Sequence, residues 1–475
     1  MNVLNHEYLI EKHFEEICKR PHGSENEKAV SDYIVSIAKE NHLEYVQDDM
    51  WNVVVYVPAT VGYENVPAVI LEAHMDMVCV KGTDVQHDFT KDPLDLYIDE
   101  NNDLHARGTT LGADDGYGCA YMLALMEETD IKHPALECVF TVQEETATVG
   151  AEKLDKSLLK GKYMIGMDCS SEYEPDVGCF TSDRYIFEKK IVKENIEGKS
   201  ITIHIHDLDG KVLHGVTNNE CGNAVKMVAR IMEKINCEYN IISFNGGIME
   251  NHIPTEAKIV FVTESDIDTT FITETYNEIR EEYLSNNYSG YIDVYEDTYT
   301  GTAISKEDSK NLIDMIYLLP NNKFMSGVEK DELVSISNLG IIETDENVIK
   351  ITGSTRSMFT YTAQEIKQHL QMIATLYGYQ STFEQRYSSW PYNKNSKLRK
   401  IADSVLIEET GKPFGEHICP GGLEIGIFVE QIEGLDAMEL GAKHDFLHTT
   451  QEYMNLDSFH RTYERLKKIL ERIQE

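Results

Sequence analysis

Five short stretches of the sequence hold residues able to bind metal ions or move protons. The first is Glu72-Ala73-His74-Met75-Asp76. On an extended backbone His74 and Asp76 project to the same side. A neutral imidazole whose other N–H is held by a carboxylate is a good zinc ligand. The second stretch is Gly108-Thr109-Thr110-Leu111-Gly112-Ala113-Asp114-Asp115-Gly116, with two adjacent carboxylates between glycines ahead of a helix. A helix N-terminus accounts for one such aspartate. A pair also suits a carboxylate that bridges two cations, one through each oxygen. The third, Gln143-Glu144-Glu145-Thr146, sets two carboxylates side by side at a strand end. They repel unless a cation or proton intervenes, so one can ligate while its neighbour serves as general base. The fourth is Asp168 after Ile165-Gly166-Met167, and the fifth is His448 in Phe446-Leu447-His448-Thr449-Thr450. His444, four residues earlier, competes with His448.

Each stretch alone has an ordinary reading as a surface pair, a helix cap, a solvated turn or a structural histidine. Together, two histidines and three carboxylates match the ligands expected for zinc, cobalt or manganese. A two-metal site holds its ions roughly 3.5–4 Å apart and activates a water between them. It needs a bridging ligand and a free carboxylate to take the water proton. Asp114 and Glu144 are available for these roles.

The elements that must position these residues alternate in type. Strands are predicted over 52–57, 68–73 leading into His74, 136–142 ending at Glu144 and Glu145, and 163–167 ending at Asp168. A helix is predicted from Gly116, through Ala120, Leu123 and Ala124. Near the start, Ser24 and Glu27 have capping-box spacing ahead of a helix with Ala29, Val30, Tyr33, Ile34 and Ile37 on one face. The pattern predicts an α/β fold: a mixed, mainly parallel sheet flanked by helices. Such sheets bind ligands beyond the carboxyl ends of their strands. Between 187 and 386 the pattern becomes α+β, with strands over 200–206 and 257–262 and helices over 223–235 and 363–376. After Trp390-Pro391 the helix-and-strand pattern returns. The expected organisation is a catalytic domain of residues 1–186 and 387–475, with an inserted domain over 187–386.

The chain has 475 residues, 82 acidic and 43 basic, for a formal net charge of -39. Such a surface repels phosphate backbones and anionic lipid, so neither nucleic acid nor membrane is expected as a partner. No apolar run approaches the roughly 20 residues that span a bilayer, and the opening MNVLNHEYLIEKHFEEICKR lacks a signal-peptide core. Nine scattered cysteines without a CxxC pair suggest a reduced, cytoplasmic protein.

Three stretches then carry a resemblance: Ala73-His74-Met75-Asp76-Met77-Val78, His87-Asp88-Phe89-Thr90-Lys91-Asp92-Pro93, and Ala106 through Gly118. Further likeness lies in Ser337-Asn338-Leu339-Gly340, Arg356-Ser357 and Gly422-Leu423-Glu424. The chain resembles the M20 metallopeptidases, most closely their aminoacyl-histidine dipeptidase branch. The resemblance implies a di-metal catalytic domain, an inserted lid domain and a possible homodimer. It implies that His74 and His448 each bind one metal, that Asp114 bridges, and that Glu145 and Asp168 complete the two ligand sets. Asp76 would orient His74, and Glu144 would be the general base. A cis peptide is implied between Asp114 and Asp115. Asn251, Arg356, His214 and Gly422 would bind substrate, with Arg356 gripping a carboxylate. The expected cofactor is a pair of divalent ions, zinc first and manganese or cobalt as alternatives, and the expected substrate is a dipeptide. This chain departs from the branch at Asp115, where asparagine is usual, at Pro420, where histidine is usual, and in the segment Gly210-Lys211-Val212-Leu213-His214-Gly215. These departures bear on substrate preference. Rival readings are another M20 activity (aminoacylase, tripeptidase or deacetylase) and a catalytically inactive metal- or peptide-binding protein.

Overall fold

The computed structural model describes residues 2–146, 148–210, 221–283, 289–326 and 333–474. The chain separates into two compact units, Met1–Cys179 with Tyr387–Glu475, and Phe180–Arg386. The first boundary lies ahead of the strand Thr181–Lys190, not inside it at 186/187. That strand pairs along its whole length with Val348–Ser357, so its backbone groups find their partners in the second unit.

In the first unit a six-stranded sheet runs in the order Glu44–Gln47, Val53–Val57, Leu136–Thr141, Val69–His74, Tyr163–Gly166, Asp436–Glu439. The first two pairings are antiparallel and the other three parallel. Side chains alternate across the sheet. Val53, Val55, Leu71, Cys138, Phe140 and Ile165 join a core with the helices Leu9–Cys18, Ala113–Glu127 and Leu456–Arg472. Val54, Ile70, Val139 and Met164 join another with Ile425 and Phe428 of the helix Glu424–Gln431. Burial on both faces explains why these strands read as apolar runs. Each aliphatic side chain so enclosed contributes about 1.5–3 kcal/mol relative to exposure. The helix Ala113–Glu127 is buried from Ala113 to Met126, and its backbone is non-helical at Asp114 and Asp115. Regular helix therefore starts at Gly116, with apolar residues on every side because the helix is central.

A four-stranded antiparallel sheet, ordered His444–Asp445, Tyr453–Asn455, Asp103–Ala106, Leu96–Ile98, stands beside these elements in the same unit. Its 446–452 loop carries His448, and Asp103–Ala106 leads towards Asp114.

The capping box expected at Ser24 and Glu27 does not form. The helix Lys28–Glu40 has Glu27 as its N-cap and no side-chain cap. Ser24 Oγ donates instead to Asp76 Oδ2 at 2.7 Å, while Glu27 Oε1 accepts from the backbone N–H groups of Glu25 and Gln143. A charge-assisted bond to a buried carboxylate outweighs an exposed cap.

The second unit is built on a nine-stranded sheet. Tyr291–Ile304 is an edge strand, followed by Lys193–His206, Ala257–Thr263, Asn240–Gly246, Leu333–Thr344, Val348–Ser357, Thr181–Lys190 and Gln380–Tyr387, with Asn322–Ser326 paired to Leu333–Thr344. Apolar residues of one face, Ile201, Ile203, Ile205, Ile259 and Phe261 among them, pack with the helices Ala224–Met232, Thr269–Glu281, Lys306–Leu318 and Thr360–Leu376. No helix among the described residues is long and apolar enough to cross a membrane. None of the nine cysteines forms a disulfide among the described residues.

Candidate metal centre and active site

The parallel register of the first unit sets His74 at the end of its strand, level with Thr141 of the neighbour. Glu144 and Glu145 follow three and four residues beyond Thr141, and Asp168 follows two beyond Gly166. The same end of the sheet thus collects residues from three strands. His74 Nε2 lies 3.0 Å from Asp114 Oδ1, and His448 Nε2 lies 3.3 Å from Asp114 Oδ2. His448 Nε2 also lies 3.0 Å from Glu145 Oε1. Ligand atoms of His74, Asp114 and Asp168 are mutually within 4.8 Å, as are those of Asp114, Glu145 and His448, and those of His74, Glu144 and Glu145. Asp114 is shared by two of these groups and turns one oxygen to each histidine. The peptide between Asp114 and Asp115 is cis.

Asp76 sits beneath. Its Oδ1 accepts the Glu144 backbone N–H at 3.0 Å, and its Oδ2 accepts that of Glu145 at 3.3 Å as well as the Ser24 hydroxyl. The atom nearest to His74 Nδ1 is the Asp76 backbone carbonyl oxygen at 3.0 Å, with Asp76 Oδ1 at 3.6 Å. The Asp76 side chain therefore fixes the loop carrying the two glutamates at least as directly as it fixes the imidazole.

The electrostatics call for cations. Burial pushes Glu144 and Asp168 well above the usual carboxylate range, and neighbouring acids push the same way. Burial also raises Asp114, but hydrogen bonds to His448 and His74 win and hold it well below its ordinary value. Burial pulls the His74 imidazole down, yet bonds to Asp114 and Asp76 leave it well above its ordinary value. Bonds to Asp114 and then Glu145 push His448 up to about 10. Two like charges about 4 Å apart repel by roughly 4 kcal/mol at an effective dielectric near 20. Fully ionised, Asp114, Glu144, Glu145 and Asp168 would together carry as much negative charge as two divalent cations carry positive. A donor set of imidazole nitrogens and carboxylate oxygens suits such ions.

A model of peptidase family M20/M25/M40 matches residues 70–472. The chain belongs to this family. It is 29% identical over 471 residues to the cytosol non-specific dipeptidase of Escherichia coli (strain K12), covering 97% of this chain and 96% of that protein. Its fold matches the crystal structure of aminoacylhistidine dipeptidase from Vibrio alginolyticus with a TM-score of 0.88 and 28% identity, over 97% of this chain and 96% of the other. A tripeptidase from Staphylococcus aureus shares the fold at a TM-score of 0.57 and 18% identity, over 99% of both chains.

Other residues of this M20 chain support the cluster without having stood out in the sequence. Glu452, buried, accepts three backbone N–H groups from the loop ahead of Asp114: Leu111 at 2.7 Å and Gly112 at 3.2 Å on Oε2, and Ala113 at 2.8 Å on Oε1. Gly112 adopts φ +68°, which glycine accepts most readily. A glutamate four residues after His448 was the available signal, but spacing alone cannot show whose amides it meets. Glu439 Oε2 accepts the Asp168 backbone N–H at 3.1 Å. Glu439 also packs against Gly166, where a Cβ would come within 2.5 Å of its carboxylate. Glu72 and Glu424 are buried nearby, and burial pushes Glu72 up to about 8. Asp115 is fully buried, with neither carboxyl oxygen bonded among the described residues. Burial pushes it well above the usual range.

Among the described residues, the remaining candidates are not members of these ligand groups. His444 is buried with Nδ1 against the Ala442 carbonyl at 2.9 Å; the imidazole in contact with Asp114 is that of His448. Gly422 precedes the helix Glu424–Gln431 and is covered by the Tyr387 ring, which a Cβ would meet at 2.1 Å. His417 Nδ1 is 2.7 Å from Asp176 Oδ1. In the second unit, Asn251 is paired with His252 at 2.8 Å, and Arg356 is buried in the strand Val348–Ser357 opposite Ser182. His214 lies outside the described residues.

Proposed function

We propose that this M20 protein hydrolyses the peptide bond of dipeptides at a two-metal centre, with His74, Asp114 and Asp168 holding one ion and Asp114, Glu145 and His448 the other. The observation that carries the reading is Asp114, buried between two histidines with one oxygen facing each, while Glu144 stands beside them outside both triads. Two divalent ions, zinc first, would supply Lewis acidity and lower the pKa of a water towards neutrality. Glu144 takes the proton of the attacking water and returns it to the departing amine. Asp76 and Glu452 keep the two ligand-bearing loops in place. Arg356 and Asn251 are the groups we assign to the substrate carboxylate and backbone, with Gly422 and His214 completing substrate contact. The near full-length likeness to two dipeptidases supports the substrate class. The name of the cytosolic relative extends the proposal to the cytoplasm, and the family resemblance extends it to a homodimer; fractionation and sedimentation check the two.

The test is hydrolysis of a dipeptide panel by chelator-treated protein, with and without zinc, manganese or cobalt. Metal-restored cleavage of free dipeptides, but not of N-acylated or longer peptides, is the expected outcome. Two bound ions per chain without cleavage of any dipeptide would overturn it.

A further inference from the structure

The second unit carries a separate cluster of histidine and carboxylate side chains. The alternation that buries Ile201, Ile203 and Ile205 sends His204 and His206 to the opposite face of the sheet. Their rings stand 4.8 Å apart. Asp293, on the edge strand Tyr291–Ile304, is in register with His204. Ligand atoms of His204, His206 and Asp293 lie within 4.8 Å of one another, and their side chains are 25%, 25% and 45% exposed, open to an arriving ion. His206 Nε2 is 3.3 Å from Asp293 Oδ2. Tetrahedral bonds of about 2.0 Å place neighbouring ligand atoms roughly 3.3 Å apart.

The outer contacts fit as well. His206 Nδ1 is 2.8 Å from Asp207 Oδ2, a bond that leaves Nε2 as the ligand nitrogen. A metal-bound histidine characteristically donates its other N–H to a carboxylate in this way. His204 Nε2 is 2.7 Å from Glu256 Oε1, which can orient His204 or join it. Two features compete with an ion: Tyr295, which hydrogen-bonds Asp293, and Lys258, in register with His204 on its other side, whose long stem lets the ammonium turn to solvent.

We propose that His204, His206 and Asp293 form a third divalent-metal site, suited to zinc and similar borderline ions, that clips the edge strand Tyr291–Ile304 to Lys193–His206. Two imidazoles and a carboxylate leave a fourth position for water or Glu256. None of these residues belongs to the first unit's cluster, so the proposal stands independently of the peptidase reading.

The test counts ions. Full-length wild type, His204→Gln/His206→Gln and Asp207→Asn are dialysed against buffered zinc and analysed by mass spectrometry. The double variant is expected to hold one ion per chain fewer than wild type, whatever number the first unit retains, with any hydrolytic activity unchanged. Asp207→Asn keeps all three ligands and should weaken zinc binding roughly 10–100-fold. Equal counts in wild type and a double variant shown to be folded by circular dichroism overturn the site. So does a cobalt-substituted absorption spectrum that the histidine substitutions leave unchanged.

Discussion

The first unit buries several acids near its metal-ligand cluster, Glu72, Asp114, Asp115, Glu424 and Glu439 among them. The second unit buries several neutral amides, Asn223, Asn240 and Asn338 among them. Asn338 Nδ2 donates to the carbonyls of Glu250 and His252 at 3.0 and 2.7 Å. Asn223 Nδ2 donates to Leu339 at 2.8 Å, and Asn240 Nδ2 to Ile304 at 2.8 Å. Each such amide bond contributes about 1 kcal/mol net and ties a loop to a strand. The amides find their partners inside the chain. The acids crowd one another, and each added carboxylate raises the electrostatic cost of its neighbours. The amide N–H groups of these asparagines are satisfied within the chain, whereas the crowded acids of the first unit call for cations or protons from outside.

That contrast can be broken most directly by chelation. Stripping divalent ions should abolish hydrolysis and re-adding zinc, manganese or cobalt should restore it; full activity after verified metal removal would mean the acids are not a metal centre. Next, Glu144→Gln should lower kcat roughly 10²–10⁴-fold with ion content unchanged, measured by steady-state kinetics beside metal analysis. A parallel loss of ions would make Glu144 a ligand instead of the base. Glu452→Gln replaces the carboxylate that accepts three amides ahead of Asp114, and metal affinity should fall roughly 10–100-fold in chelator competition; unchanged affinity would separate that loop from the site.

A pH effect sharpens the comparison. Burial pushes Glu27 up from an ordinary 4.5 to about 7. Between these values the folded state keeps a proton that the unfolded state releases. Its stabilisation is therefore full below pH 4.5 and is lost as pH rises through 7, by up to about 3 kcal/mol. Glu27→Gln should flatten that part of the stability profile in urea titrations, and an identical slope in the variant would exclude Glu27 as its source. The smallest effect is expected in the second unit. Asn338→Ala leaves two carbonyls without their donor and should cost about 1–3 kcal/mol in the same titrations; a change in the ions held by the first unit would contradict the division drawn above.

Much of the candidate site was legible because its residues sit where strand patterns end. His74 and Asp168 follow apolar runs, Glu144 and Glu145 follow another, and the Asp114-Asp115 pair stands between glycines. Glu452 and Glu439 were not legible, since an acid that accepts backbone amides looks like any surface acid until the chain has folded over it. Ser24 and Glu27 misled for a related reason. Their spacing satisfies a local rule, but a buried carboxylate fifty-two residues after Ser24 offered a stronger acceptor. The boundary at 186/187 misplaced the strand Thr181–Lys190, because one strand reads alike in either unit until its partner is known.

By itself the sequence determined the element types of the first unit, the kinds of ligand available and the family, because periodicity, residue chemistry and motif spacing are properties of the chain read in order. Only the tertiary structure decided that Asp114 faces two histidines, that His448 and not His444 meets it, that Glu452 holds its loop, and that His204, His206 and Asp293 share one exposed face. These depend on strand register and loop closure, and both bring together residues that no local pattern connects.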